Sequence, residues 1–128
     1  MEYRKAVCAI IFLENCLLTT HRKDDVNDLG LPGGKVEADE SSIDAIKREV
    51  LEETGYTATY EYLCSKVDGD FMVDVYLGKD PIDTQVENEG LGVWSKPDNV
   101  FIGCFGTFNK AVFSTHADTI KNHFADEQ

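Results

Sequence analysis

Gly34-Lys-Val-Glu-Ala-Asp-Glu-Ser-Ser-Ile-Asp-Ala-Ile-Lys-Arg-Glu-Val-Leu-Glu-Glu-Thr-Gly-Tyr56 is the stretch that decides the fold. Its second half reads as a helix. Ser41 is an N-cap with Asp44 three residues on, a capping box with Asp in the usual Glu place, and Gly55 stands where a helix end takes a left-handed residue. The spacing predicts a helix from about Ser42 to Thr54. Ile43, Ile46 and Val50 form an apolar stripe that anchors one side. Glu49, Glu52 and Glu53, spaced i, i+3, i+4, fall within about a third of the circumference beside it.

Three carboxylates on one helical face repel. Glu49 and Glu53 form a like-charge i, i+4 pair at the negative end of the helix dipole, which costs a few tenths of a kcal/mol. Arg48 is placed to pair with Glu52 or to reach back to Glu40, but one guanidinium does not neutralise this many acids. Oxygen ligands at this density suit a hard divalent ion, Mg²⁺ or Mn²⁺. An acidic helical run taken alone is ordinarily a solvated face; this one sits inside a longer pattern.

Gly34, five residues, Glu40, seven residues, Arg48-Glu49-Val50, any residue, Glu52-Glu53, any residue and Gly55-Tyr56 resembles the Nudix box at every defined position. The resemblance implies an α/β/α sandwich with a mixed β-sheet and an enzyme that hydrolyses a nucleoside diphosphate linked to a further group. It implies that Glu49, Glu52 and Glu53 hold the divalent ions with help from the Gly34 carbonyl, and that Glu40 and Arg48 set the geometry of the loop and helix. Lys35, next to Gly34, is in reach of a phosphate, although an ordinary exposed lysine reads equally well.

In the family the proton of the attacking water goes to a box glutamate or to an acid from a later loop. Here those are Glu49 and Glu89, with Glu87 second in the loop. Glu89 is favoured, as a base or an additional metal ligand, because MutT-type members carry Glu-Gly shortly before a Trp and this chain has Glu89-Gly90 before Trp94. Arg22 falls where MutT-type enzymes place a phosphate-contacting arginine. Asn109 falls near the asparagine that reads an oxidised guanine, and an N-cap accounts for it equally. Leu31 replaces the aromatic residue before Pro32-Gly33-Gly34, so Phe71, Tyr76, Trp94 and Phe105 are the alternative stacking surfaces, each also a core candidate.

The substrate expected is a nucleoside triphosphate, unmodified or oxidised, cleaved to monophosphate and pyrophosphate. Signatures of ADP-ribose, dinucleoside polyphosphate and coenzyme A hydrolases do not align cleanly here, although ADP-ribose, dinucleoside polyphosphates and nucleotide sugars remain alternative substrates. A catalytically silent nucleotide-binding domain is the reading from another class; such domains usually lose box carboxylates, which this chain retains. Dimers are common in the family, so a homodimer accompanies the resemblance.

The 128 residues fit one domain, 1–128, with an ordinary core. A formal net charge of −12 argues against long nucleic acid as a partner, since that needs clustered Lys and Arg. The same charge would repel a small polyphosphate unless metal ions lay between. No signal-peptide core is present and the longest apolar run, Ala9 to Leu13, is too short for a bilayer, which leads to the expectation of a soluble, cytoplasmic protein without a membrane partner. Cys8, Cys16, Cys64 and Cys104 lack a C-x-x-C spacing and read as buried free thiols. His21, His116 and His123 have no metal-ligand spacing.

Along the rest of the chain, Ala6 to Leu13 and Cys16 to Arg22 read as a β-hairpin, Lys23 to Gly30 as a polar loop, and Leu31 to Gly34 as a loop entering the site. Thr57 to Val67 and Phe71 to Leu77 read as a second hairpin, Lys79 to Asn88 as a polar connection, Val93 to Ser95 as a short strand, and Pro97 to Asn99 as a turn. Phe113, Ala117, Ile120 and Phe124 predict one amphipathic helix over about Asn109 to Phe124.

Overall fold

The computed structural model describes residues 2–125. Strand β1 (Arg4–Leu13) is its axis. A continuous apolar run signals a strand covered on both faces, and the side chains divide accordingly. Val7, Ala9 and Ile11 join Leu18, Ala45, Ile46, Val50 and Tyr76 in one cluster, while Cys8 and Ile10 join Leu17, Val73, Val75, Leu77, Val112, Ile120 and Phe124 in the other. Each fully buried Val, Leu or Ile contributes about 1.5–3 kcal/mol. The two clusters hold the layers on either side of the sheet.

The chain leaves β1 through Glu14 and Asn15, both at positive φ (51° and 68°), the backbone of a tight hairpin turn, and returns as β2 (Cys16–Arg22). Strands β3 (Asp25–Gly30) and β4 (Gly33–Lys35) follow, then helix α1 (Ser42–Thr54), β5 (Tyr56–Asp68), β6 (Phe71–Asp83) and β7 (Gly92–Ser95). A 3₁₀ turn at Pro97–Phe101 leads to α2 (Gly106–Thr115) and α3 (Ala117–His123). The sheet runs β3-β2-β1-β6-β5, with β4 paired to β1 and β7 to β2. Only the β1–β6 ladder is parallel among these pairings, so the sheet is mixed. With α1 on one face and α2 and α3 on the other, the α/β/α arrangement expected from the sequence is present.

Helix α1 begins and ends as its caps dictate. The Asp44 N–H donates to Ser41 Oγ at 3.2 Å, and Gly55 closes the helix at φ 79° with its N–H on the Leu51 carbonyl. Its N-terminal turn is tied to the sheet by hydroxyls: Ser42 Oγ donates to Asp74 Oδ2 at 2.7 Å and Tyr76 Oη to Ser42 Oγ at 3.0 Å. The remote end of the helix is therefore fixed before its acids come into play.

Five expectations are corrected. Lys23–Gly30 is not simply a loop, because Asp25–Gly30 pairs with β2 across a bulge at His21/Arg22. The Pro-Gly-Gly loop becomes strand β4, with Gly33 opposite Cys8 and Gly34 opposite Val7. The polar connection starts later, since β6 runs to Asp83; Pro81 is tolerated because pairing with β1 ends at Gly78. The C-terminal helix is broken at His116, where Ala117 is exposed rather than on the buried stripe. The cysteines are free, but only Cys8 is buried and Cys104 is exposed.

Candidate functional site

The site is assembled where the C-terminal half of α1 passes the short strand β4. Gly33 donates its N–H to Glu53 Oε1 at 2.9 Å, and Gly34 leaves room for the Glu49 carboxylate: a Cβ there would lie 2.6 Å from it. Burial is the main reason that Glu53 is pushed up to about 8, opposed by the Gly33 N–H and reinforced by Glu49, Glu89 and Glu52. Glu49 is raised in the same direction, again chiefly by burial, with Arg48 opposing.

Arg48 organises the other acids. Its Nε donates to Glu40 Oε2 at 2.7 Å and its Nη2 to Glu40 Oε1 at 3.0 Å, a two-point pairing. Nη1 donates to Glu49 at 2.8 Å and to Glu52 at 3.3 Å, and Nη2 also reaches the Lys35 carbonyl at 3.1 Å. Both partners proposed for Arg48 from the sequence are engaged at once. Glu40 in turn accepts the Glu37 N–H at 3.0 Å, so the loop between β4 and α1 closes around one guanidinium. The Arg48 hydrogen bond is the largest cause holding the Glu40 carboxyl down at about 2.

A carboxyl lowered in the folded state stabilises above its unfolded pKa, near 4.5, and loses that contribution as pH falls towards about 2. Glu40→Gln is therefore expected to lower the melting temperature at neutral pH, with the deficit shrinking progressively below pH 4.5. Equal deficits at pH 7 and pH 3 would rule out this ion pair as the cause.

Glu89 reaches the same acids from the loop between β6 and β7. Its N–H donates to the Glu52 carbonyl at 2.8 Å, the Leu91 N–H to the Glu53 carbonyl at 3.0 Å, and the Thr84 N–H and Oγ1 to the Gly55 carbonyl at 3.0 and 2.6 Å. The loop thus satisfies carbonyls that a helix end leaves unpaired. Lys23 Nζ lies 3.0 Å from Glu89 Oε2. Glu87, the second acid of this loop, is exposed.

On the far side of β4 lies a cleft of about 280 Å³, whose lining includes Leu31, Lys35, Asp68, Phe71, Phe105 and Asn109. Lys35 projects near Phe71, with Nζ 6.0 Å from the ring centre. Phe105 is 51% exposed. Asn109 is not an N-cap, because α2 already begins at Gly106; it is buried to 2% exposure and donates Nδ2–H to the Val100 carbonyl at 3.0 Å. Arg22 stands apart from the cleft lining, with Nε 3.8 Å from Asp24 and 3.9 Å from Asp28 and with Nη1 3.5 Å from Cys104 Sγ. Tyr76 is buried with the α1 layer, and Trp94 stacks edge-on with Tyr56 at 5.5 Å. Asp68 is the cleft residue that sequence reading missed, its place in Asp68-Gly69-Asp70 giving only a turn signal.

Oxygen donors fit a divalent ion here. Glu49 and Glu53 are seated against the glycine backbone of β4, both half-buried beside like charge, with the exposed Glu52 next to them. Among the described residues no three His, Cys, Asp or Glu side chains already converge as a metal cage; Arg48 and the Gly33 N–H hold the acids instead.

The profile of the NUDIX domain matches residues 2–109. The chain belongs to the Nudix family. A Bacillus subtilis (strain 168) relative, provisionally named an 8-oxo-dGTP diphosphatase, is 39% identical over 56 residues, 44% of this chain. The matched stretch spans only 38% of that relative's length. A solved MutT structure from work on Aliivibrio salmonicida and Vibrio cholerae is similar over 89% of this chain and 99% of its own, at 27% identity and TM-score 0.69. The Escherichia coli ORF135 protein is similar over 92% of this chain and 94% of its own, at 26% identity and TM-score 0.63. Nudix hydrolases generally use divalent metal ions and act on small nucleotide substrates. Among the described residues no helix is long and apolar enough to cross a membrane.

Proposed function

We propose that this Nudix chain is a Mg²⁺-dependent pyrophosphohydrolase, Mn²⁺ substituting, that cleaves a nucleoside triphosphate, unmodified or oxidised, to the monophosphate and pyrophosphate. The observation that carries the reading is the Glu53 carboxylate, half-buried beside Glu49 and tied at 2.9 Å to the N–H of Gly33, which also lines an apolar cleft. Glu49, Glu52 and Glu53, with the Gly34 carbonyl, would hold the ion. Bound there, a divalent ion would supply charge to neutralise the diphosphate and would make a water more acidic for attack.

The chain's own residues do the rest. Glu40 and Arg48 keep the box acids at one rim of β4, and the cleft takes the base while Lys35 stands between the two. Glu89 is the acceptor for the water proton, in a loop registered on α1 by backbone bonds. Glu89→Gln is expected to lower kcat by about 10²- to 10⁴-fold and to alter the pH–rate profile. An unchanged profile would return the role to Glu49.

The whole reading is tested by phosphate release with Mg²⁺ or Mn²⁺ present, coupled to pyrophosphatase for the triphosphates and to alkaline phosphatase, which acts on the monoester products, for the other linkages. The panel contains unmodified and oxidised nucleoside triphosphates, ADP-ribose, dinucleoside polyphosphates and nucleotide sugars. A kcat/KM for one triphosphate far above the others supports the proposal. Activity confined to another linkage keeps the metal site and discards the substrate, and silence on every compound sinks the enzyme reading.

A further inference from the structure

Three acidic or amide side chains at the turns of this chain bond locally. Asp25 Oδ1 accepts the Asn27 N–H at 3.0 Å, Asp83 Oδ1 the Gln85 N–H at 2.9 Å, and Asn88 Oδ1 the Gly90 N–H at 2.8 Å. These are the ordinary two-residue turn bonds of Asp and Asn. Asp68 ends β5 at the Gly69-Asp70 turn and has the same opportunity. Among the described residues no hydrogen bond or ion pair engages its carboxylate, and it lines the cleft together with Phe71, Phe105 and Asn109. The carboxylate lies close enough to Cys8, also in that lining, for its charge to help raise the thiol's pKa, although burial is the larger cause.

The surrounding groups narrow what such an acceptor would meet. Phe71 and Phe105 offer flat apolar surface to a ring. Asn109 is fixed in orientation, because turning its amide would set Oδ1 against the Val100 carbonyl that Nδ2 now serves. Lys35, also on the wall, supplies a donor. A ring bound here therefore faces a carboxylate with two free acceptor oxygens, and donors elsewhere on the walls.

We infer that Asp68 is a specificity-determining residue that accepts hydrogen bonds from a nucleobase edge carrying a ring N–H beside an exocyclic amino group. That donor pair belongs to guanine-type bases. Adenine and cytosine set a ring lone pair beside the amino group, which the carboxylate would repel, and thymine flanks its ring N–H with carbonyls. Oxidation at C8 leaves the guanine donor pair intact, so oxidised and unoxidised guanine nucleotides both qualify. The carbonyl at the end of that edge finds donors in Lys35 and the remaining Asn109 amide N–H. The inference deepens the proposed function and rests on it for the base lying in this cleft.

The experiment measures binding of dGMP, dIMP, dAMP and dCMP by calorimetry in the absence of metal. The wild-type chain is compared with Asp68→Asn and Asp68→Ala, and kcat/KM is read for the corresponding triphosphates. dIMP lacks only the exocyclic amino group. The wild type should prefer dGMP over dIMP by about tenfold or more, the value of a hydrogen bond to a charged group. Both variants should erase most of that preference and leave their melting temperatures near the wild type's. A dGMP to dIMP ratio unchanged in both folded variants would overturn the inference, as would a wild type that prefers dAMP or dCMP. Guanine-selective binding that depends on Asp68, with no triphosphate hydrolysed, would uphold the residue's role and sink the enzymatic reading. Hydrolysis with Asp68-independent selectivity would do the reverse.

Discussion

Glu53→Gln is expected to lower kcat/KM by about a thousandfold or more, beyond the 10- to 100-fold that outer partners of a metal ligand usually cost. Gln keeps the volume and still offers an oxygen to the Gly33 N–H, so the contact at 2.9 Å has a neutral replacement. What disappears is a carboxyl whose ionisation is opposed by partial burial and by Glu49 and Glu89. Metal-free Glu53→Gln should accordingly melt at or above the wild-type temperature. Added Mg²⁺ should raise the wild type's melting temperature and leave the variant's almost unchanged. Turnover near the wild-type rate at saturating Mg²⁺ would remove Glu53 from the proposed metal site. A variant that melted far lower would assign it to the fold instead.

The adjacent glycines should separate stability from catalysis. A Cβ on Gly33 would lie 2.1 Å from the Val7 carbonyl oxygen, backbone in the central strand, where no side chain can yield. Gly33→Ala is expected to cost about 3 kcal/mol or more, at the upper end for overpacking, because the β1–β4 ladder must part. A Cβ on Gly34 would meet the end of the Glu49 side chain, which can turn aside. Gly34→Ala should therefore melt within a few degrees of the wild type and lose hydrolysis by about 10²-fold or more. Thermal melts beside initial rates decide the matter. Equal melting temperatures for the two variants would refute the division.

The residues explain which parts of this were readable in advance. Helix α1 carried its cap, its apolar period and its terminal glycine in consecutive sequence, and all three act in the structure. The two long hairpins were similarly legible from β-branched and aromatic runs. Strand β3 was hidden because Asp25, Asn27, Asp28 and Gly30 are poor strand formers; pairing with β2 supplies what their propensity lacks. Strand β4 was hidden for a related reason: two glycines carry no local pattern, and only their alignment with β1 makes them a strand. Of the candidate site, the box acids and Arg48 were named by spacing. Asp68 was not, since its meaning depends on Phe71, Phe105 and Asn109 arriving beside it from other elements. Asn109 was named by its likeness to a base-reading asparagine; the competing N-cap reading fails, because the residue lies inside α2 with its amide on the Val100 carbonyl.

The bonds from Thr84, Glu89 and Leu91 to the carbonyls of Gly55, Glu52 and Glu53 have a consequence for how the protein breathes. A surface loop would ordinarily open on its own, at little free-energy cost, and its amides would exchange with solvent early. Here the last turn of the helix cannot fray without releasing that loop, and the loop cannot lift without uncovering the last turn. The two segments form one cooperative opening unit. Glu89 and the box acids are then mutually registered whenever that unit is closed, and a single local unfolding event dismantles them together.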